Sequence, residues 1–201
     1  MSYFTVDDLR QYHRRKPVRL QKSMEQLLNE AATFVEGKRY DIFLSHSVKD
    51  KEAILGIKDM YEDQGKSVYI DWIDDKELDR TKVNAGTADV LRRRMKASGA
   101  LVYVASDNAK ESAWMPWEVG YFDGLKGGNV SILPVQEGGN GKFTGQEYLE
   151  LYPVVQKVQS SKSVVTGVTR KTVTGNQIVE TLGDFLRTGR PADTNFIYKV
   201  M

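Results

Sequence analysis

Cysteine is absent from this 201-residue chain, and histidine occurs only twice, at His13 and His46. The first absence excludes disulfide staples, thiolate zinc sites and cysteine nucleophiles. The second leaves no material for a histidine-rich metal cluster, so no metal site is expected. Charge of one sign is lacking too: 29 Lys and Arg stand against 27 Asp and Glu, for a formal net charge of +2. That balance supplies no global field for gripping nucleic acid or an anionic membrane, and neither is expected as a partner. No run of 18 apolar residues exists, and the N-terminal MSYFTVDDLRQYHRRK lacks the apolar stretch of a secretory signal. Cytoplasm is therefore the expected compartment. What is present is 40% hydrophobic and 28% charged residues, the composition of one soluble domain with room for a terminal extension. The chemistry left to the chain is that of carboxylates, hydroxyls, aromatics and basic groups.

The first 38 residues read as a helical arm that packs on the domain or on a second copy of it. Leu20, Met24, Leu27, Leu28, Ala31, Phe34 and Val35 recur at spacings of three and four, one apolar helix face between Pro17 and Gly37. The basic stretch from Arg10 to Lys22 reads as a solvated face. From residue 40 short apolar runs alternate with helical stretches. Strands are expected at Tyr40–Leu44, Ser67–Ile70, Gly99–Ala105 and Val130–Val135, and helices at about 50–64, 84–97 and 112–125. Strands apolar on both faces, in β-α-β order, predict a flavodoxin-like, doubly wound parallel sheet of the α/β class. Beyond Val135 a glycine-rich loop precedes extended segments at 152–158 and 163–173, read as a closing strand and an edge hairpin. A final helix is expected after the N-cap candidate Asn176, using Ile178, Val179, Leu182, Phe185 and Leu186. The division is thus an arm (1–38), a core (39–160) and a C-terminal extension (161–201).

Several motifs fail. In Gly138-Gly139-Asn140-Gly141-Lys142 the lysine precedes Phe143 rather than Ser or Thr, so the phosphate-loop pattern is broken. The acids from Asp71 to Asp79 lack the ligand alternation and central glycine of a calcium loop. Ser45 and His46, adjacent at a strand end, point in opposite directions and do not make a catalytic couple. One segment does concentrate chemistry: Ser112-Ala113-Trp114-Met115-Pro116-Trp117-Glu118 follows the third strand, so it stands at the carboxyl edge of the sheet, where open α/β sheets hold ligands. Pro116 belongs in a first helical turn, which starts the helix near 112–114 and puts Trp114 and Glu118 on one face. Two readings fit that spacing, a packed indole with a helix-dipole glutamate and a carboxylate placed for reaction.

These residues resemble the bacterial kind of TIR (Toll/interleukin-1 receptor) domain over about residues 39–135. Tyr40-Asp41-Ile42-Phe43-Leu44-Ser45-His46 is similar to the family's first box. Val68-Tyr69-Ile70-Asp71 is similar to the second strand and the acid that opens the BB loop. Leu101-Val102-Tyr103-Val104-Ala105-Ser106 is similar to the third strand with its serine, and Ser112 to Glu118 to the Ser-x-Trp-x-x-x-Glu segment. Two departures stand out: the loop from Asp71 to Asn84 is longer than usual, and Asn84 replaces the usual glycine, a residue that also tolerates a left-handed backbone.

The resemblance implies cleavage of NAD⁺, as substrate rather than cofactor, at the nicotinamide–ribose bond, giving ADP-ribose or a cyclic isomer that signals in anti-phage systems such as Thoeris. Glu118 is implied as the catalytic residue. Ser45, His46, Asp71, Trp72 and Trp114 are implied as substrate-binding, with Trp72 a stacking platform. Arg92, Arg93 and Arg94 cannot all face a pyrophosphate from successive helix positions. Self-assembly through TIR–TIR contacts and a downstream effector that senses the product also follow. The alternatives are a non-catalytic adaptor acting by homotypic contact and a nucleotide sensor without turnover. Chemistry favours the enzyme, because pyridinium departs as neutral nicotinamide and one carboxylate suffices where an ordinary glycosidase needs two.

Overall fold

Tyr-Asp-Ile-Phe-Leu-Ser forms a strand because Ile42, Phe43 and Leu44 all lose contact with water, which only a central position in a covered sheet permits. The computed structural model describes residues 2–15, 37–75, 78, 83–138, 145–159, 164–171, 177–181 and 183–185. Its strands are β1 (Phe4–Thr5), β2 (Tyr40–Ser45), β3 (Val68–Tyr69), β4 (Ser98–Ala105), β5 (Val130–Gln136), β6 (Val154–Gln159), β7 (Val164–Lys171) and β8 (Gln177–Thr181). The helices are α1 (Val6–Arg15), α2 (Lys51–Glu62), the single turn α3 (Asp71–Asp74), α4 (Ala85–Lys96) and α5 (Trp114–Lys126).

Among the described residues the strands join one sheet in the order β3-β2-β4-β5-β6-β7-β8, with β1 beside β5. Pairing is parallel from β3 through β6 and antiparallel in the hairpin β6-β7-β8. The chain therefore runs outward from β2 to β3 and then doubles back to β4, so the strand order reverses between β2 and β4. Crevices form beyond the carboxyl ends of strands at such a reversal.

Two apolar layers cover the sheet. Ile42, Leu44, Val102, Val104 and Leu133 face α2 and α1 through Ile54, Ile57 and Leu9. Phe43, Leu101, Tyr103 and Ile132 face α4 and α5 through Leu91, Met95, Met115, Val119 and Phe122. The alternation along each strand sends its neighbours into different cores. Helix α5 closes at Gly127, whose φ of 63° is the left-handed conformation that favours glycine after a last turn.

The amino-terminal segment is built into this core. β1 extends the sheet beside the carboxyl half of β5, with Phe4 opposite Val135 and Thr5 opposite Gln136. α1 then lies on α2, tied by His13 to Asp59 at 2.5 Å and by the Tyr12 hydroxyl to Asp63 at 2.9 Å. The helical face expected from Leu20 to Val35 lies outside the described residues, as do Asn140, Gly141 and Lys142 of the glycine-rich loop.

One expectation is overturned. The stretch after Asn176 is a strand, β8, paired antiparallel with β7 from Gln177 opposite Lys171 to Thr181 opposite Gly167. Ile178, Val179 and Thr181 are β-branched, and the open edge of β7 supplies backbone partners that an isolated helix would have to provide for itself. Phe185 keeps its expected apolar role, fully buried in the layer that holds α2.

Candidate active site

Ser45 ends β2 pointing into the α5 layer, because it shares the parity of Phe43. Its hydroxyl donates to Glu118 Oε2 at 2.6 Å, closing a gap of 73 residues in sequence. Both side chains have no solvent exposure. Glu118 is there because α5 starts at Trp114, with Pro116 in its first turn, and the Ser112 hydroxyl accepting from the Met115 N–H supports the entry into that turn. Trp114 lies on the same helix face, 5% exposed, and meets Trp117 edge-on at 5.6 Å. The carboxylate thus sits at the strand-order reversal, between β2 and β4.

Tyr103 of β4 is the register partner of Ser45. Burial, then the Tyr148 hydroxyl and then the charge of Glu118, raises the Tyr103 phenol well above its ordinary range, so it remains a proton donor at neutral pH. It hydrogen-bonds to Tyr148, whose own hydroxyl donates to Gln146 Oε1. In the amino-acid sequence Tyr103 reads as one packing residue of an apolar strand. Its place beside Ser45 needs the knowledge that β2 and β4 are neighbours.

His46 points the other way. Its Nδ1 donates to the Leu44 carbonyl at 2.7 Å, and its Nε2 accepts the Trp72 indole N–H at 2.7 Å. A carbonyl only accepts and an indole N–H only donates, so this geometry holds the neutral ring with its proton on Nδ1. Asp71 Oδ1 lies 3.3 Å from the same Nε2 and accepts the Trp72 backbone N–H at 2.8 Å. Asp71, Trp72 and His46 are therefore brought together as one cluster at the root of the loop. Trp72 packs against the α2 layer, with Lys51 5.6 Å above its ring.

The rest of that loop root is pinned by charge. Arg94 forks onto Asp75 with bonds of 2.7 and 2.6 Å, Tyr69 donates to Asp75 at 2.7 Å, and Tyr40 donates to Asp74 at 2.8 Å. Arg92 instead pairs with Asp89 and lies over the Trp117 ring. The arginine run thus divides between a structural fork and an outer face. Asn84, φ −144°, is extended rather than left-handed, and its side chain caps α4 by accepting from Thr87 N at 2.8 Å. Replacing Arg94 by Ala leaves Asp75 in a largely closed site with the Tyr69 hydroxyl but no cation, and is expected to cost about 3 kcal/mol, whereas Arg92→Ala, at an exposed pair, costs under about 0.5 kcal/mol. Urea midpoints of the two variants check the contrast.

Among the described residues no group of acidic or histidine side chains could hold a metal ion, and no helix is long and apolar enough to cross a membrane.

A doubly wound sheet with a buried serine–glutamate pair at its reversal point, flanked by a tryptophan one helical turn before the glutamate, defines an α/β protein of the TIR class. A Bacillus cereus (strain MSX-D12) protein named as a probable 3' cyclic ADP-D-ribose synthase, ThsB', is 46% identical over 167 residues, covering 78% of this chain and 84% of that protein. A Cytobacillus dafuensis protein named as a putative cyclic ADP-D-ribose synthase, TIR2, is 39% identical over 85 residues, which are 42% of this chain and 22% of that longer protein. No family model matches the chain. The chain belongs to the family of the ThsB'-type TIR proteins.

Proposed function

We propose that this protein is an NAD⁺-consuming cyclase: it breaks the nicotinamide–ribose bond and closes the remaining ADP-ribose into a ring. The observation that carries the reading is the Ser45–Glu118 hydrogen bond of 2.6 Å at the strand-order reversal. The names of the two relatives, both cyclic ADP-D-ribose synthases, support an enzyme rather than an adaptor.

The C–N bond breaks with its electron pair leaving on nicotinamide, which departs neutral, so no acid is needed at the leaving group. Positive charge then grows on the ribose ring. Glu118 opposes that charge from a site closed to bulk solvent, where a fixed carboxylate acts far more strongly than in water. Ser45 holds the carboxylate in one orientation. Since Glu118 is closed from solvent, substrate reaches it as side chains at the rim of the cleft move aside. A ribose hydroxyl of the adenosine half then attacks the cationic carbon, and its proton passes to Glu118 or to solvent. Trp114 forms a wall of the cleft, while His46, Asp71 and Trp72 hold the loop root that borders it.

Incubation of concentrated protein with NAD⁺, with nicotinamide and nucleotide products separated by chromatography, tests the reading. Equal amounts of nicotinamide and a cyclic isomer of ADP-ribose are expected; absence of nicotinamide release at any protein concentration sinks it. Ser45→Ala is expected to lower kcat by roughly 10- to 100-fold, the effect of releasing one buried charged hydrogen-bond partner. The same proposal includes a cytoplasmic role in anti-phage defence, self-assembly through TIR–TIR contacts and an effector that senses the cyclic product.

A further inference from the structure

The diphosphate is the most strongly charged part of NAD⁺, and a protein that takes this substrate has to meet it with a cation. Two places beyond the carboxyl edge of the sheet differ in what they offer. A cavity of about 270 Å³ opens past β4 and β5, but Asp107 and Glu137 stand on its walls and its lysine, Lys110, already pairs with Asp107 at 3.2 Å. Anions are repelled there. The strand-order reversal between β2 and β4 is different. Lys49 and Lys51 follow closely on β2, and Lys49 pairs with Glu111. Lys51, exposed at the first position of α2, has no carboxylate partner among the described residues. Its ammonium lies 5.6 Å above the Trp72 ring.

We infer, on the basis of the function proposed above, that Lys51 binds the diphosphate of NAD⁺ and sets the affinity of the site for this dinucleotide. The acids nearest to Lys51 in the chain and at the loop root are each held by other groups. Asp50 accepts from the Ser106 hydroxyl at 2.5 Å and from the Asn108 amide at 2.6 Å. Glu52 pairs with Arg10 at 2.6 Å, and buried Asp71 lies against His46 and the Trp72 backbone N–H. Other cations of this region are engaged: Arg94 with Asp75, Arg92 with Asp89 and Lys38 with Asp74. An ammonium is held less firmly by an exposed aromatic face than by a phosphate oxygen, so Lys51 can exchange the ring for the ligand.

The end of β2 places this cation relative to the chemistry. Ser45 and His46 send their side chains to opposite faces of the sheet. Ser45 leads to Glu118 on the α5 side, and His46 leads through the Trp72 indole to Lys51 on the α2 side. A carboxylate suited to a ribose gaining positive charge and an ammonium suited to a diphosphate thus stand on either side of one strand end. Dinucleotides lie across open sheets in the crevice at such a reversal. The bonds from Asp50 to Ser106 and Asn108 tie the turn before α2 to the turn after β4, which fixes the start of α2 beside the catalytic pair. His46 acts here as a positioning residue: by accepting the indole N–H it sets the plane of the ring on which Lys51 rests. The diphosphate keeps its charge while the C–N bond breaks, so Lys51 contacts ground state and transition state alike. Loss of that contact shows in KM rather than kcat.

Lys51→Met tests the contact, because it removes the charge and keeps an apolar stem over Trp72. Lys51→Arg restores the charge, and Lys49→Ala is the control. ADP-ribose, which carries the diphosphate without nicotinamide, is titrated into each protein by calorimetry, and kcat and KM for NAD⁺ are measured alongside. Lys51→Met is expected to weaken ADP-ribose and to raise KM by about tenfold each, the loss of one charge-assisted contact, with kcat within about threefold of wild type. Lys51→Arg and Lys49→Ala should stay within about threefold of wild type in all three quantities. ADP-ribose bound as tightly by Lys51→Met, or not bound by the wild type, overturns the contact. A fall in kcat at unchanged KM overturns it too, since binding is then not what Lys51 supplies. Normal NAD⁺ turnover by Lys51→Met at unchanged KM defeats the contact and leaves the enzymatic reading standing. ADP-ribose binding that depends on Lys51, in a wild type that consumes no NAD⁺, upholds the contact and defeats the enzymatic reading instead.

Discussion

Glu118→Gln is expected to abolish NAD⁺ cleavage, lowering kcat by about 10³-fold or more, while leaving the melting temperature unchanged or raised. The substitution removes charge and little else. Glutamine still accepts the Ser45 hydroxyl that now reaches Oε2 at 2.6 Å, so local packing survives. Catalysis does not, because a neutral amide cannot oppose the charge that grows on the ribose ring. A thousandfold loss corresponds to about 4 kcal/mol of transition-state stabilisation, within the range of a buried electrostatic group. Stability moves the other way for the same reason: a carboxylate with no solvent exposure is costly to hold in the folded state. Parallel assays of nicotinamide release and thermal unfolding check both halves. Turnover retained within tenfold would remove Glu118 from the chemistry.

Gly56→Ala is expected to produce the largest loss of stability from a single methyl group. Gly56 lies in the middle of α2, where alanine would normally gain about 1 kcal/mol of helix propensity. Here the added Cβ would stand 2.1 Å from the Leu9 carbonyl oxygen, and backbone cannot move aside as a flexible side chain can. Overpacking alone costs about 1–3 kcal/mol. If α1 lifts instead, the burial of Leu9 and Phe4 is lost, each worth about 1.5–3 kcal/mol. Either route outweighs the propensity gain, and a net loss of about 3 kcal/mol is expected in urea denaturation. Trypsin cleavage after Arg14 or Arg15 should accelerate as α1 undocks. A variant more stable than the wild type would show that α1 does not bear on Gly56 in solution. Lifting α1 also frees β1 from Val135 and Gln136 at the carboxyl end of β5.

The central strands were legible because each is a short run of apolar residues without alternation, which only a sheet covered on both faces can bury. The carboxyl end of the chain was not. Ile178, Val179 and Phe185 satisfy a helical spacing, and β-branched residues beside an open strand edge satisfy a strand equally well. Pairing with β7 settled the matter, and no local pattern contains that partner. The helix carrying Glu118 was legible to its first turn, since Pro116 can stand only there. Ser45 and His46 were separable by strand alternation, Ser45 toward Glu118 and His46 away from it. That His46 holds the Trp72 indole was not readable, because the two stand 26 positions apart with a helix and a strand between them.

By itself, then, the sequence determined the class of fold, the residue types available for chemistry and the helix on which the carboxylate stands. Those follow from periodicity and backbone sterics, which act over a few residues. Tertiary structure alone decided that Ser45 meets Glu118 across 73 residues, that Tyr103 joins them from the neighbouring strand, and that a cavity of about 270 Å³ opens beyond the carboxyl ends of β4 and β5. Strand order sets these distances, and strand order is the outcome of burying two apolar layers at once, a property of the whole chain rather than of any segment in it.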